Sequence, residues 1–150
     1  MNAGRLRPAG MAERRFRARG LAVQALYQWQ ITKTPAPEIV RQFREDQDFS
    51  RVDRDYFEEL LTQIPERASE LEEALEPCLA TPPQGVDPVE RSILLIAAYE
   101  LRHRPELDVR VIINEAIELA KRFGAEQGHR FVNGVLDQLS RRTRAAVRVP

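Results

Sequence analysis

The stretch from Val111 to Asp137, VIINEAIELAKRFGAEQGHRFVNGVLD, decides the fold of this chain. Its apolar residues recur three and four positions apart on both sides of Gly124, which is the spacing of two amphipathic helices. Gly124 follows two cations, Lys121 and Arg122, as expected for a helix that ends in a glycine of left-handed conformation. The segment therefore predicts a helical hairpin.

The second helix of this hairpin is predicted to expose a mixed polar and aromatic surface. Its polar side chains form one stripe beside an aromatic residue, Phe131; they are Gln127, Arg130, Asn133 and Gln138. The pair Asn133-Gly134 is typical of tight turns, but the helical period continues through it. We therefore interpret Gly134 as a helical position that another backbone or a ligand approaches closely.

The preceding part of the chain is also predicted to be helical, because no segment alternates apolar and polar residues as a strand would. A first helix is expected from about Ala12 to Ile31, with a core formed by Ala22, Ala25, Leu26 and Trp29. Helical spacing returns over Glu38–Glu45 and again from Asp53 onward, where Pro65 should kink or split the helix. The predicted fold class is all-α.

A linker and two well-marked helix starts follow. Thr81–Gly85, TPPQG, is expected to separate two halves of the domain. Asp87 and Pro88 suit the N-cap and first position of a helix to about residue 103. This helix is apolar on most sides, so it should be central and buried. Asp108 can cap the helix after it.

Length and composition indicate one soluble globular domain. The chain has 150 residues, of which 43% are hydrophobic and 31% are charged, enough for one hydrophobic core. Its longest apolar run, Ile93–Tyr99, is too short to span a bilayer, and no apolar segment suggests a secretory signal. The lone Cys78 fits a reducing cytoplasm. We expect a flexible basic arm over residues 1–11, a helical domain over 12–142 with halves near 12–80 and 86–142, and a basic tail over 143–150.

A formal net charge of zero conceals strong segregation. The first nineteen residues hold six arginines and one acid, whereas Glu38–Ala80 holds thirteen acids and five arginines. Beyond Asp137 there are four arginines and no acid. A basic arm and tail around an acidic middle point to a nucleic-acid partner more than the total charge does.

The residues needed for common catalytic and metal sites are missing from the sequence. With two histidines and one cysteine a zinc site is not expected, and neither a nucleophile-elbow serine nor a Gly-rich phosphate loop is present. We therefore expect no enzymatic activity, no cofactor and no metal.

The basic N-terminal segment has two interpretations. Its composition alone fits a disordered, solubilising tail as well as a binding surface. On a helix, however, Arg14, Arg17, Gln24 and Gln28 fall along one side, with Tyr27 near its edge. Guanidinium groups suit phosphates, amides can bond base edges and an aromatic ring can stack on a base. This combination modestly favours single-stranded nucleic acid, whereas the C-terminal arginines are interpreted as tail.

Tyr27 and Phe131 are open to the same question. Aromatic residues at helical spacing are more often core than ligand contacts. Phe131, however, flanks its apolar stripe, neighbours Arg130 and shares a side with Gln127, which suits a base-stacking site.

Three blocks of sequence resemble the NusB family of bacterial transcription antitermination proteins. They are Ala22–Trp29 (AVQALYQW), Val89–Leu101 (VERSILLIAAYEL) and the C-terminal blocks Ile113–Lys121, Phe123–Glu126 and Phe131–Asp137. They occur in the family's order and extend over nearly the whole chain, whereas residues 31–86 match only in pattern.

The resemblance implies two packed helical bundles in one compact NusB-like domain. It also implies an RNA-binding antitermination factor that binds boxA-type single-stranded RNA of ribosomal RNA transcripts. The implied partners are the ribosomal protein NusE and RNA polymerase with other Nus factors. RNA contacts carry over to Arg14, Arg15, Arg17, Gln24, Tyr27, Gln127, Arg130 and Phe131, and a contact for NusE to Glu90. The family often has an acid where Gln127 stands.

Two other interpretations remain at this stage. NusB-like domains also precede the catalytic domain of some ribosomal RNA cytosine methyltransferases, although no cofactor-binding α/β segment follows here. A structural scaffold whose arm only solubilises it is the other. Both a monomer and a homodimer are compatible with the sequence.

Overall fold

The structure, a computed structural model, describes the backbone of residues 3–148 and the side chains of residues 10–144. Seven α-helices make up most of this described part, and it contains no strand. They are α1 (Ala3–Thr32), α2 (Ala36–Asp46), α3 (Arg54–Glu66), α4 (Ala68–Leu75), α5 (Pro88–His103), α6 (Val109–Phe123) and α7 (Gly128–Arg148). Short 3₁₀ turns lie at Glu76–Cys78 and Pro83–Gly85. The all-α prediction is confirmed, and no helix in the described range is long and apolar enough to cross a bilayer.

The chain forms two compact units, one through Pro65 and one from Glu66. In the first, α1 contributes Ala22, Ala25 and Leu26 to a core that α2 and α3 complete. Phe57 lies at its centre, with its ring centroid 5.7 Å from that of Phe43 and 5.4 Å from that of Phe49. Burial of these apolar faces is the main stabilising term of the unit.

In the second unit, α5 is the central helix, as predicted. Every residue from Ser92 to Leu101 is buried, with α4, α6 and α7 packed around it. The start of α5 is fixed locally, since the Asp87 carboxylate accepts hydrogen bonds from the backbone N–H groups of Val89 and Glu90. Asp108 caps α6 in the same way through the N–H of Arg110.

The structure differs from the sequence-based expectation at the ends and at the division of the chain. Helix α1 begins at Ala3 and not near Ala12, and α7 continues to Arg148. The expected arm and tail are therefore helical in backbone over their described parts. Pro65 lies inside α3, one residue before its end, and α4 begins at Ala68, so the helical stretch is split close to Pro65 as expected. The two units also divide there and not at Thr81–Gly85. The reason is that α4 packs on α5 and α7, which assigns it to the second unit.

One expectation about a side chain and one about the backbone were wrong. Trp29 is only partly buried, whereas its neighbours Ala25 and Leu26 are fully buried. Gly124 does cap α6, but its backbone is extended, with φ −88° and ψ 177°. The left-handed residue of the hairpin is Gln127, with φ 73°.

Arg144, expected to be part of a basic tail, holds the end of α5. Its guanidinium donates hydrogen bonds to four backbone oxygens, those of Leu101 (2.8 Å), Leu107 (3.1 Å), Arg104 (3.2 Å) and Glu100 (3.4 Å). The last carbonyls of a helix have no partner within the helix and carry partial negative charge. A partly buried cation at this place satisfies both requirements.

We predict that Arg144→Ala destabilises the fold by about 1.5–3 kcal/mol, the usual contribution of hydrogen bonds to a charged group. Urea unfolding followed by circular dichroism measures this. Arg141→Ala is the matched control, because Arg141 is an exposed α7 residue paired only at helical spacing with Asp137. Such pairs contribute about 0.2–0.5 kcal/mol. Equal losses for the two variants would contradict the capping role of Arg144.

Candidate nucleic-acid interface

Most of the α1 arginines whose side chains the structure describes are engaged within the first unit. Arg14 donates to the backbone oxygens of Ser50 (2.9 Å) and Val52 (3.2 Å), and its own backbone oxygen accepts from the N–H of Asp53. Arg14 thus ties the α2–α3 loop to α1. A guanidinium has five N–H donors, so these two bonds leave others for a further acceptor.

Arg15 and Arg17 differ in how strongly they are held. The Arg15 guanidinium lies 4.5 Å from the centroid of the Tyr56 ring, and its Nε is 3.9 Å from an Asp53 carboxylate oxygen. Arg17 makes only an exposed pair with Glu13 at 3.3 Å, four residues before it. Because exposed pairs at this spacing contribute a few tenths of a kcal/mol, a phosphate can readily replace Glu13.

Arg19 does not belong to this surface, although the sequence counts it in the basic segment. It is 3% exposed, and its guanidinium lies 5.5 Å from the centroid of the Tyr56 ring. Its spacing explains the burial, because Arg19 lies three, four and seven residues before the buried Ala22, Val23 and Leu26 and so shares their helix face.

Further along α1, Gln24 and Tyr27 are exposed, Tyr27 to 42%. Gln28, on the same side, donates to the side chain of Gln42 on α2 at 3.0 Å. The first unit therefore presents Arg17, Gln24 and Tyr27 to solvent. Arg14 and Arg15 lie on the same helix, but part of their hydrogen-bonding and charge interactions is with residues of the first unit. The side chains of Arg5 and Arg7 lie outside the described residues.

In the second unit, the start of α7 brings three predicted contact residues together. Gln127, Arg130 and Phe131 are all exposed, Phe131 to 37% of its surface. The core face of α7 consists of Val132, Val135, Leu136 and Leu139, each at most 4% exposed, and Phe131 lies at the edge of that face. Phe131 is therefore a surface residue, which removes the objection that it belongs to the core.

The conformation of Gln127 is unusual for its residue type. Its positive φ of 73° costs a non-glycine residue conformational energy. The turn that holds it contains hydrogen bonds from the N–H of Gly128 to Ala125 (2.9 Å) and from the N–H of Arg130 to Gln127 (3.1 Å). The turn thus fixes where the Gln127 side chain leaves the backbone.

Glu90, the expected partner contact, is half-buried, and its carboxylate lies against Gly128, the first residue of α7. A Cβ atom added to Gly128 would be 2.4 Å from its Oε2 atom, so the carboxylate occupies the space that a side chain there would need. Burial and the neighbouring Asp87 carboxylate raise the pKa of Glu90. Glu90 is therefore well placed to position the start of α7, where the exposed residues begin.

Sequence reasoning missed two features of this region. The capping role of Arg144 gave no local signal, because its acceptors are 37 to 44 residues away. Gly134 was expected to meet a close neighbour, yet no heavy atom in the described structure comes within 4 Å of a Cβ added there, apart from its own helix backbone. That expectation was wrong for the chain's own backbone.

Comparison with known proteins gives a consistent result. The NusB family model matches residues 16–141. The transcription antitermination protein NusB of Pseudomonas entomophila is 52% identical over 140 residues, covering 93% of this chain and 84% of that protein. NusB of Nitrosococcus oceani is 52% identical over 135 residues, covering 90% of each.

Two solved structures share the fold. T. maritima NusB superposes with a TM-score of 0.72 at 28% identity, covering 84% of this chain and 89% of that one. A structure of the antitermination factors NusB and NusE in complex with double-stranded RNA gives a TM-score of 0.68 at 22% identity, with 85% and 97% coverage. At that identity the second likeness shows the fold alone.

Two glycines of the hairpin are expected to respond differently to alanine. A Cβ at Gly124 would lie 2.8 Å from the backbone oxygen of Ala120, whereas a Cβ at Gly128 meets the movable end of Glu90. We predict that Gly124→Ala costs about 1–3 kcal/mol, as overpacking against fixed atoms does, and that Gly128→Ala costs much less. Thermal unfolding of both variants measures the difference. A larger loss for Gly128→Ala would show that the Glu90 carboxylate is fixed in place.

Proposed function

The chain belongs to the NusB family, and on that premise we propose that it is a transcription antitermination factor that binds boxA-type RNA of ribosomal RNA transcripts. The observation that carries the proposal is the exposed surface at the start of α7. There the first turn of α7 presents an aromatic ring and a guanidinium, and the turn before it presents an amide. The proposed role is non-catalytic and cytoplasmic.

The arrangement suits single-stranded RNA for physical reasons. Phe131 offers a flat apolar face to an unpaired base, and such a stack is worth about 1–3 kcal/mol. Arg130 on the same helix can pair with a phosphate, and Gln127 can donate to and accept from a base edge. Gln127 is neutral, so it does not repel phosphate as an acid at this position would.

The α1 residues add attraction that does not depend on sequence. Arg17 is exposed and weakly paired, and Arg14 and Arg15 lie on the same helix with part of their donors already used. Contacts to phosphate position an RNA without specifying its sequence. We therefore assign phosphate binding to α1, with Gln24 and Tyr27 as neighbouring contacts, and base recognition mainly to α7.

Protein partners are the second part of the proposal. We propose that a NusE-like ribosomal protein binds this chain together with RNA, as in the structure of NusB and NusE with double-stranded RNA, in which a chain of the same fold is present. Glu90, half-buried in the first turn of α5, is the proposed contact for that protein. RNA polymerase with the other Nus factors, and a second copy of the chain in a homodimer, complete the proposed set of partners.

We predict that Arg17→Ala and Phe131→Ala weaken RNA binding in physically different ways. Loss of one phosphate contact should flatten the log–log salt dependence by about 0.7. Loss of the aromatic stack should leave that slope unchanged and cost about 1–3 kcal/mol. Filter binding at several salt concentrations, with boxA-type RNA and a scrambled RNA of the same composition, measures both effects.

Melting curves must accompany these assays. Phe131→Ala should cost about 1 kcal/mol of stability, the usual size of a point-mutation effect, while the control Phe57→Ala, at a fully buried site, should cost about 3–5 kcal/mol. Arg14→Ala and Arg15→Ala are less informative alone, because both side chains also contact the α2–α3 segment. Equal affinity of the wild-type protein for boxA-type and scrambled RNA would overturn the proposed specificity.

We also predict that RNA and the NusE-like protein bind cooperatively, with equal and reciprocal coupling free energies. A protein with zero net charge gains little from non-specific attraction to RNA. We therefore expect the NusE-like protein, bound beside the RNA, to increase the RNA affinity of this chain. Titration calorimetry of the ribosomal protein, with and without boxA-type RNA, measures the coupling. Identical affinities in the two titrations would exclude it.

A further inference from the structure

Gly134 is a glycine for which the fold itself gives no reason. It lies inside α7, where glycine destabilises a helix relative to alanine. Its φ is not positive, so no special backbone conformation requires it. It is exposed, and a Cβ added to it would meet no atom of the described structure within 4 Å beyond its own helix backbone.

The other two glycines of this region make the contrast clear. Gly124 is needed because the backbone oxygen of Ala120 lies where a Cβ would stand, and at Gly128 a Cβ would displace the movable carboxylate of Glu90. No atom of the described chain explains a glycine at position 134 in this way. A molecule outside the chain that comes close to the helix backbone would explain it.

The neighbours of Gly134 indicate what kind of molecule this is. Residues three and four apart lie on the same helix face, which places Arg130, Phe131, Asp137 and Gln138 next to Gly134. All four are exposed. Arg141 extends the same face by two turns, where it pairs with Asp137. The face therefore combines an aromatic ring, an amide and two cations, one of them paired with the Asp137 carboxylate, around a spot without a side chain.

We propose that Gly134 is a contact site for RNA, where the nucleotide next to the one stacked on Phe131 lies directly against the backbone of α7. This inference rests on the proposed function and extends it by one nucleotide site. A single strand fits better than a protein segment, because the flanking groups suit phosphate and base: guanidinium, aromatic face and amide. The Gln138 amide lies one turn beyond and can bond the edge of that base.

The bare backbone at Gly134 would act as a specificity-determining element. A base or ribose can reach van der Waals distance from the helix only where no Cβ stands in between. Any methyl group there would lift the nucleotide and lengthen its bonds to neighbouring side chains. Phosphate contacts elsewhere would persist, since they act over a longer range.

The test uses the full chain with Gly134→Ala, and Asn114→Ala as the matched control. Asn114 is an exposed residue of α6 in the same unit, and alanine there also favours the helix. Both variants should melt a few degrees higher than the wild-type protein. Gly134→Ala should bind boxA-type single-stranded RNA at least tenfold more weakly with an unchanged salt slope, while Asn114→Ala should bind as the wild type does.

Each outcome decides the matter. Wild-type affinity in Gly134→Ala overturns the inference, while preference of the wild-type protein for boxA-type over scrambled RNA keeps the proposed function. Loss of that preference in the wild type overturns the proposed function instead. A lower melting temperature for Gly134→Ala would show that the fold needs the glycine, which also overturns the inference. Unchanged RNA affinity with weaker binding of the NusE-like protein would assign the site to a protein.

Discussion

The burial of one face of α7 is the constraint on which both the second unit and its proposed site depend. Val132, Val135, Leu136 and Leu139 are packed against the rest of the unit, and each fully buried side chain of this kind contributes about 1.5–3 kcal/mol. Turning the helix far enough to bury Phe131 would expose Leu136, which lies on the far side of this face. Burial of one large side chain would then be exchanged for exposure of another, so Phe131 stays at the edge of the core face and Arg130 and Gly134 stay exposed.

The first unit uses its arginines in a different way. Arg14 joins α1 to the loop before α3 through carbonyl oxygens, while Arg15 lies against the ring of Tyr56 on α3 and Arg19 is buried beside that ring. Among the α1 arginines whose side chains the structure describes, Arg17 alone is held by nothing stronger than an exposed pair. A basic sequence thus stabilises the fold first and offers a smaller set of cations to RNA than its composition suggests. The salt dependence of binding should reflect that smaller set.

The features that sequence predicted well are those with local causes. Asp87 and Asp108 were identified as caps because a side-chain acceptor beside the first helical N–H groups is recognised within three residues. The burial of α5 was predicted because its residues are apolar on most sides of the helix. The exposed stripe of α7 was predicted from the helical spacing of its polar residues. Family resemblance supplied the fold arrangement and the RNA partner, which no periodicity could supply.

The features that sequence missed have distant or subtle causes. Arg144 resembled a tail residue because its acceptors lie far back in the chain. Gly124 was assigned a left-handed conformation, but the approach of the Ala120 oxygen explains the glycine, and Gln127 takes the left-handed position. The position of Glu90 against Gly128 depends on how α5 and α7 pack, which spacing along the chain does not encode.

Photo-crosslinking of the full chain to boxA-type RNA, with the adducts located by mass spectrometry, tests the central claim most directly. Trypsin cleaves after Arg130 and Arg141, so one peptide, Phe131–Arg141, carries most of the exposed face of α7. The α6 peptide Val111–Lys121 is an internal comparison from the same unit. We expect adducts on Phe131–Arg141, and they should disappear when unlabelled boxA-type RNA competes. Competable adducts confined to Val111–Lys121, with none on Phe131–Arg141, would contradict recognition of RNA by α7.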